Sequence, residues 1–141
     1  MKVKDIMTKS VISLDSNDTV QKAASIMSEH NIGSVPVCES SNVIGIITDR
    51  DIALRCVAEG KDCKNQSVRD IMSSNPAIGT PDMDVQDASR IMSERQIRRL
   101  PIVENNSLVG VVSLGDIAVD PKLNNQAEQA LSSISEPSTP R

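Results

Sequence analysis

The sequence predicts an α/β (α+β) fold built from one β-α-β-β-α unit written twice. Three observations carry this. The chain aligns with itself without a gap when residues 3–53 are set against 68–118, and 18 of the 51 paired positions are identical. Each half contains a run of β-branched residues, Val43-Ile44-Gly45-Ile46-Ile47 and Leu108-Val109-Gly110-Val111-Val112, of the length and composition of a buried strand. Each run closes on a hydroxyl residue followed three positions later by a carboxylate, Thr48 with Asp51 and Ser113 with Asp116, where a helical pattern opens.

The elements of one unit follow in order. Val3 to Met7 is a short opening segment, and Val11-Ile12-Ser13-Leu14 a brief extended run. Asp18 with Gln21 three residues on has capping-box spacing. Val20, Ala23, Ala24 and Met27 then fall on one helical face. His30 closes that helix, where a cation suits the dipole. A short strand, Val35-Pro36-Val37-Cys38, leads through Glu39-Ser40-Ser41-Asn42 into the strand Val43 to Thr48, and a helix is expected from about Asp49 to Glu59 with Gly60 at its C′ position. The expected boundaries are 1–60 for the first repeat, 61–67 for a connector, 68–121 for the second repeat and 122–141 for a tail. In that tail 124–133 reads as a fraying helix and 137–140 as disordered. Gly45 and Gly110 mark a bulge or a close backbone approach in their strands.

Composition limits the function. Phe, Tyr and Trp are absent, so the core must be aliphatic, and base stacking of the kind that single-stranded nucleic acid requires has no platform. A net charge of −4 opposes a phosphate backbone. No apolar run approaches the roughly 20 residues of a membrane span, and the first residues lack a signal-peptide core, so a cytoplasmic location is expected. Cys38, Cys56 and Cys63 have no CxxC spacing and only one histidine accompanies them. No metal site is expected, and the plain reading of the cysteines is as small buried apolar residues. The chain has no GxSxG and no P-loop, and no second histidine to serve a nucleophile. Enzymatic chemistry is not expected.

The duplicated unit opens on Asp5-Ile6-Met7-Thr8 and Asp70-Ile71-Met72-Ser73. It carries a hydrophobic-x-Pro strand, and it closes on Gly45-x-x-Thr48-x-x-Asp51 and Gly110-x-x-Ser113-x-x-Asp116. Over residues 3–118 this resembles a tandem CBS (cystathionine β-synthase) domain pair, of the small stand-alone bacterial or archaeal kind. The resemblance implies two repeats packed around a pseudo-twofold axis. It also implies two clefts that take adenosine-containing ligands such as AMP, ADP, ATP, S-adenosylmethionine or NAD, and a homodimer. It implies a regulatory ligand rather than a required cofactor, and neither nucleic acid nor membrane as partner.

The chemistry of the corners fits that implication. One carboxylate can accept from both hydroxyls of a ribose, each charge-assisted bond contributing roughly 1.5–3 kcal/mol. Asp51 and Asp116 are the candidates, with Thr48 and Ser113 as hydroxyl donors to sugar or phosphate oxygens. An adenine slot is expected from Ser34, Val35, Pro36, Ile12 and Ser13 in the first cleft. In the second, the expected residues are Leu100, Pro101, Ile78 and Gly79, joined by Gly33 and Ser34 from the other repeat. By family resemblance Arg98 and Arg99 cross to the first cleft, near Arg50 and Arg55, so that cleft is expected to hold a phosphorylated nucleotide and the second an uncharged adenosyl group or nothing. The plainer alternatives are that Asp51 and Asp116 are helix N-terminal carboxylates and that Arg98 and Arg99 are a solvated pair. Three functions are consistent with the residues: an adenosyl-ligand sensor, a ligand-free dimerisation and docking module, and a redox-linked regulator acting through the cysteines.

Overall fold

The computed structural model describes residues 1–118 and 124–135. Asp120-Pro121 and the tail beyond 135 lie outside the described residues. The elements run as a 3-10 turn Val3–Asp5, β1 Leu14–Asp15, α1 Val20–His30, β2 Ser34–Glu39, β3 Asn42–Thr48, α2 Asp49–Ile52, a π-helical turn Ala53–Val57, α3 Val68–Ile71, β4 Ser73–Ser74, α4 Val85–Arg95, β5 Arg99–Glu104, β6 Ser107–Ser113, α5 Leu114–Ala118 and α6 Asn124–Ile134. The mixed α/β class expected from the duplicated pattern is the class observed.

Compactness divides the chain differently from its repeats. A mid-chain unit spans Ile12–Pro76, and a two-segment unit joins Met1–Val11 to the residues from Ala77 onward. Strand register shows why. In the mid-chain unit β2 and β3 form an antiparallel hairpin. β1 adds in parallel to β2 (Leu14↔Val37), and β4 pairs with β3 (Ile46↔Ser73). In the two-segment unit β5 and β6 repeat the hairpin, Gly79 bridges Ile102 in parallel, and Thr8 bridges Val111. Thr8 thus does for β6 what Ser73 does for β3. The leading segments of the two repeats are exchanged: each closes the hairpin of the other copy.

Local chemistry fixes the elements. Both hairpins turn on two residues with positive φ, Ser40 and Ser41 in one and Asn105 and Asn106 in the other. That geometry matches the right-handed twist of the strands. Each hairpin carries a bulge, between Val37 and Cys38 and between Ile102 and Val103. Gly45 and Gly110 stand opposite. A Cβ on Gly45 would meet the Ser73 carbonyl at 2.8 Å, and one on Gly110 the Met7 sulfur at 2.7 Å, so each glycine admits the exchanged segment.

Helix α1 departs from the expected cap. Thr19, not Asp18, is the N-cap, its Oγ1 accepting from the Lys22 N–H at 3.1 Å. Asp18 lies one residue too early and accepts from the Asp15 N–H at 2.8 Å, which orders the turn before the helix. The single helix expected over 49–59 is an α-turn that continues as a π-turn to Val57, and Gly60 follows at φ 70°.

Each unit has its own aliphatic core. Leu14, Val35, Val37, Ile47, Val68 and Ile71 anchor the mid-chain unit. Val3, Val85, Met92, Leu100, Ile102 and Ile117 anchor the other, to which α6 contributes Ala127 and Ala130. α6 is also pinned to α4 by bonds from Ser89 Oγ to the Gln126 carbonyl (3.0 Å) and from Gln96 Nε2 to the Ser133 carbonyl (3.2 Å).

Candidate functional site

The strand-to-helix corners are reciprocal capping boxes. At the first, the Thr48 N–H donates to Asp51 Oδ2 and the Asp51 N–H to Thr48 Oγ1, both at 3.0 Å. At the second, the Ser113 N–H donates to Asp116 Oδ2 at 2.9 Å and the Asp116 N–H to Ser113 Oγ at 3.1 Å. The box satisfies two backbone donors that a helix start leaves open, which explains a hydroxyl and a carboxylate at this spacing without any ligand.

Beyond the box the corners differ. Asp51 is 7% exposed. The Ser73 hydroxyl stands 3.3 Å from both of its carboxylate oxygens, and Arg55 Nε is 3.8 Å from Oδ1. Arg55 in turn donates through Nη1 to the carbonyls of Ile71 and Met72, at 3.2 Å each. Asp51 therefore ties α2 to the segment that enters β4. Asp116 is half-buried and has no ion pair among the described residues.

The second corner opens on a cavity of about 580 Å³ lined by Arg98, Arg99, Ser113, Leu114 and Gly115, with Ala127, Glu128 and Leu131 of α6 as a further wall. That volume lies in the range of small-molecule sites. The guanidinium groups come from the entry to β5. Arg99 is the register partner of Ser113, and the Leu114 N–H donates to the Arg98 carbonyl at 3.0 Å. Neither arginine makes an ion pair among the described residues. At the first corner the equivalent places are held by Ser34, the partner of Thr48, and by Gly33, whose carbonyl accepts from Asp49.

The residues expected from sequence have the following places in the structure. Arg98 and Arg99, assigned above to the cleft of Thr48 and Asp51, stand beside Ser113 in one compact unit, because the β5–β6 register holds them there. Val35 and Leu100 are fully buried, and Pro36 and Pro101 are buried beside them, so their side chains belong to the packed interior. Gly79 has both backbone groups engaged, its N–H on Pro101 and its carbonyl on Val103. Ile78 is exposed and Ile12 packs against the mid-chain core. Ser13 is exposed and hydrogen-bonds the Cys38 thiol, whose pKa is nonetheless raised by burial. Arg50 is exposed. Sequence reasoning missed Leu114, Gly115 and the α6 residues Ala127, Glu128 and Leu131. The four-residue spacing of Ala127 and Leu131 is the available signal for that wall, and it is faint.

Among the described residues no group of three or more His, Cys, Asp or Glu converges as a metal would need, and no helix is long and apolar enough to cross a membrane.

Comparison with known proteins agrees with the duplicated corners. The CBS domain family model matches residues 3–57 and 68–119. The CBS domain-containing protein YhcV of Bacillus subtilis is 49% identical over 133 residues, covering 94% of each chain. Hypoxic response protein 1 of Mycobacterium tuberculosis is 32% identical over 116 residues, 82% of this chain and 81% of that one. Its counterpart among solved structures, Hypoxic Response Protein I with two coordinated zinc ions, superposes with a TM-score of 0.78 at 31% identity, over 84% of this chain and 98% of the other. The CBS domain pair of protein MJ0100, solved in complex with 5′-methylthioadenosine and S-adenosyl-L-methionine, gives 0.74 at 32% identity, over 84% and 94%. With two matched segments that together take in both corners, this chain belongs to the CBS-domain family as a tandem pair.

Proposed function

We propose that the protein is a non-catalytic regulatory module that binds an adenosine-containing ligand and relays its occupancy through conformation or through packing against a second copy. The observation that carries this reading is the cavity at the second corner, where two arginines with no ion pair among the described residues meet a serine hydroxyl and an apolar wall. An adenosyl ligand has matching parts. Its phosphate or carboxylate end suits Arg98 and Arg99, its ribose suits the Ser113 hydroxyl at the cavity wall, with Asp116 behind it in the capping box, and its base suits the apolar surface of Leu114 and Leu131. The complex of the MJ0100 pair supports the ligand class. The choice among AMP, ADP, ATP, S-adenosylmethionine and NAD turns on the end that meets the arginines.

The corners are unequal in this reading, with the order reversed from the sequence expectation. A ribose at Asp51 must displace Ser73 from a buried carboxylate, and no arginine stands where Ser34 does. The second corner is therefore the tighter one.

A ligand moves an equilibrium only through its difference in affinity for two states, so a relay needs a surface that changes. Leu54 and Val57, 50% and 63% exposed on the π-turn, are apolar and suit a protein partner. They favour a second reading, a docking module that works without ligand.

A thermal-shift and calorimetric screen with AMP, ATP, S-adenosylmethionine, NAD and adenosine separates the two readings. At about 100 times its dissociation constant a ligand adds about 2.7 kcal/mol, and the melting temperature rises. If no adenosyl compound raises it at concentrations far above micromolar, the sensor reading fails and the docking reading stands.

A further inference from the structure

The fold brings two of the three cysteines together. Cys56, on the π-turn, is fully buried, and its sulfur lies 2.7 Å from that of Cys63, which is half-buried. A formed disulfide measures about 2.05 Å, so the two sulfurs already stand within about 1 Å of bonding distance. The backbone holds the pair in place. The Lys61 N–H donates to the Cys56 carbonyl, the Gln21 N–H to the Cys63 carbonyl, both at 3.0 Å, and the Cys56 thiol lies 3.8 Å from the Lys61 carbonyl. The intervening residues are thus wrapped around the thiol and fastened at both ends.

We propose that Cys56 and Cys63 are a thiol–disulfide modification site that latches the π-turn behind the first corner. The oxidant is a low-molecular-weight disulfide such as oxidised glutathione. The Cys63 thiolate, the more accessible, attacks one sulfur of that disulfide. An S–S bond forms between Cys63 and one half of the oxidant, and the other half leaves as a thiolate that takes a proton from water. Cys56 then loses its proton to solvent and attacks the Cys63 sulfur, which expels the second half. The balance is two cysteine thiols and one disulfide in, one internal disulfide and two small thiols out.

The division of roles has a physical cause. Burial, reinforced by the neighbouring Cys63 thiol, pushes the Cys56 thiol up to about 11. It is a slow nucleophile toward anything in solution and reacts only with the sulfur already placed against it. The latch is local in effect. Arg55, adjacent to Cys56, holds Asp51 and the carbonyls of Ile71 and Met72, so a cross-link here stiffens the helical turn that supports the first corner.

The test uses the full chain, incubated with reduced or oxidised glutathione and read by intact mass and tryptic digest. Trypsin cuts after Arg55, Lys61 and Lys64, so the bridge joins peptide 56–61 to peptide 62–64. The expected result is a loss of two hydrogens, that joined peptide, reversal by dithiothreitol, and a melting temperature about 5 °C higher in the oxidised form. Cys63→Ser abolishes the bridge and the rise, and Cys38→Ser changes neither. If Cys63→Ser fails to fold, Cys63→Ala replaces it. A stable glutathione adduct on Cys63, a bridge that includes Cys38, no oxidation, or a bridge without a rise in melting temperature overturns the proposal.

Discussion

Arg99 and Ser113 are register partners across the β5–β6 hairpin, whereas the same two places in the β2–β3 hairpin hold Ser34 and Thr48. Opposed residues in an antiparallel pair bring their Cβ atoms about 5 Å apart. One corner is therefore faced by a guanidinium and the other by a hydroxyl.

Replacing both Arg98 and Arg99 by alanine should lower the affinity for AMP about tenfold or more and leave adenosine binding nearly unchanged. Both side chains line an open cavity and have no ion pair among the described residues, so the melting temperature should hold. Isothermal titration with the two ligands reads the split. Equal losses for AMP and adenosine would remove the arginines from the anion end.

Asp51→Ala should destabilise the fold by about 2 kcal/mol. It breaks a reciprocal box and leaves the Ser73 hydroxyl and Arg55 without their carboxylate. Asp116→Ala breaks only the box and should cost about 1 kcal/mol. Urea denaturation of the two variants measures the difference. Similar midpoints would show that the Ser73 and Arg55 contacts contribute little.

Gly45→Ala should cost about 1–3 kcal/mol, because its methyl would press on the Met72 side chain and the Ser73 carbonyl, and the carbonyl cannot give way without breaking strand pairing. Gly110→Ala meets Met7 sulfur at 2.7 Å but the Thr8 carbonyl only at 3.1 Å, so it should be milder. Thermal melts of the two variants rank them.

Ala130→Glu places a carboxylate at a site 1% exposed between α6 and the rest of the two-segment unit. It should release α6 and remove one wall of the cavity. Protease cleavage within 124–134 is expected to accelerate in the variant, and affinity for AMP to fall. Unchanged cleavage would mean that Ala127 and the bonds from Ser89 and Gln96 hold α6 unaided.

The hairpins and corners were legible because each is short-range: a β-branched run, a polar turn, then a hydroxyl and a carboxylate three apart. The exchange of leading segments was not. Val3 to Met7 and Val68 to Met72 match each other so well that pattern alone cannot say which hairpin each one closes. Arg98 and Arg99 were assigned to the first cleft by family resemblance, which carries no register; the β5–β6 pairing that sets Arg99 opposite Ser113 is a feature of the folded strands. The helix cap at Thr19 lost to Asp18 on spacing, although both residue types cap well. The approach of Cys56 to Cys63 depends on a π-turn, which adds a residue per turn and has no sequence signature here.

The trade of leading segments between the hairpins has a practical side. A fragment cut at the seam between repeats would take its first residues from one hairpin and leave its own hairpin lacking the edge supplied by Thr8 or Ser73. Neither half is a free-standing piece, and trimming or tagging the first ten residues would be felt at Val111, a hundred positions down the chain.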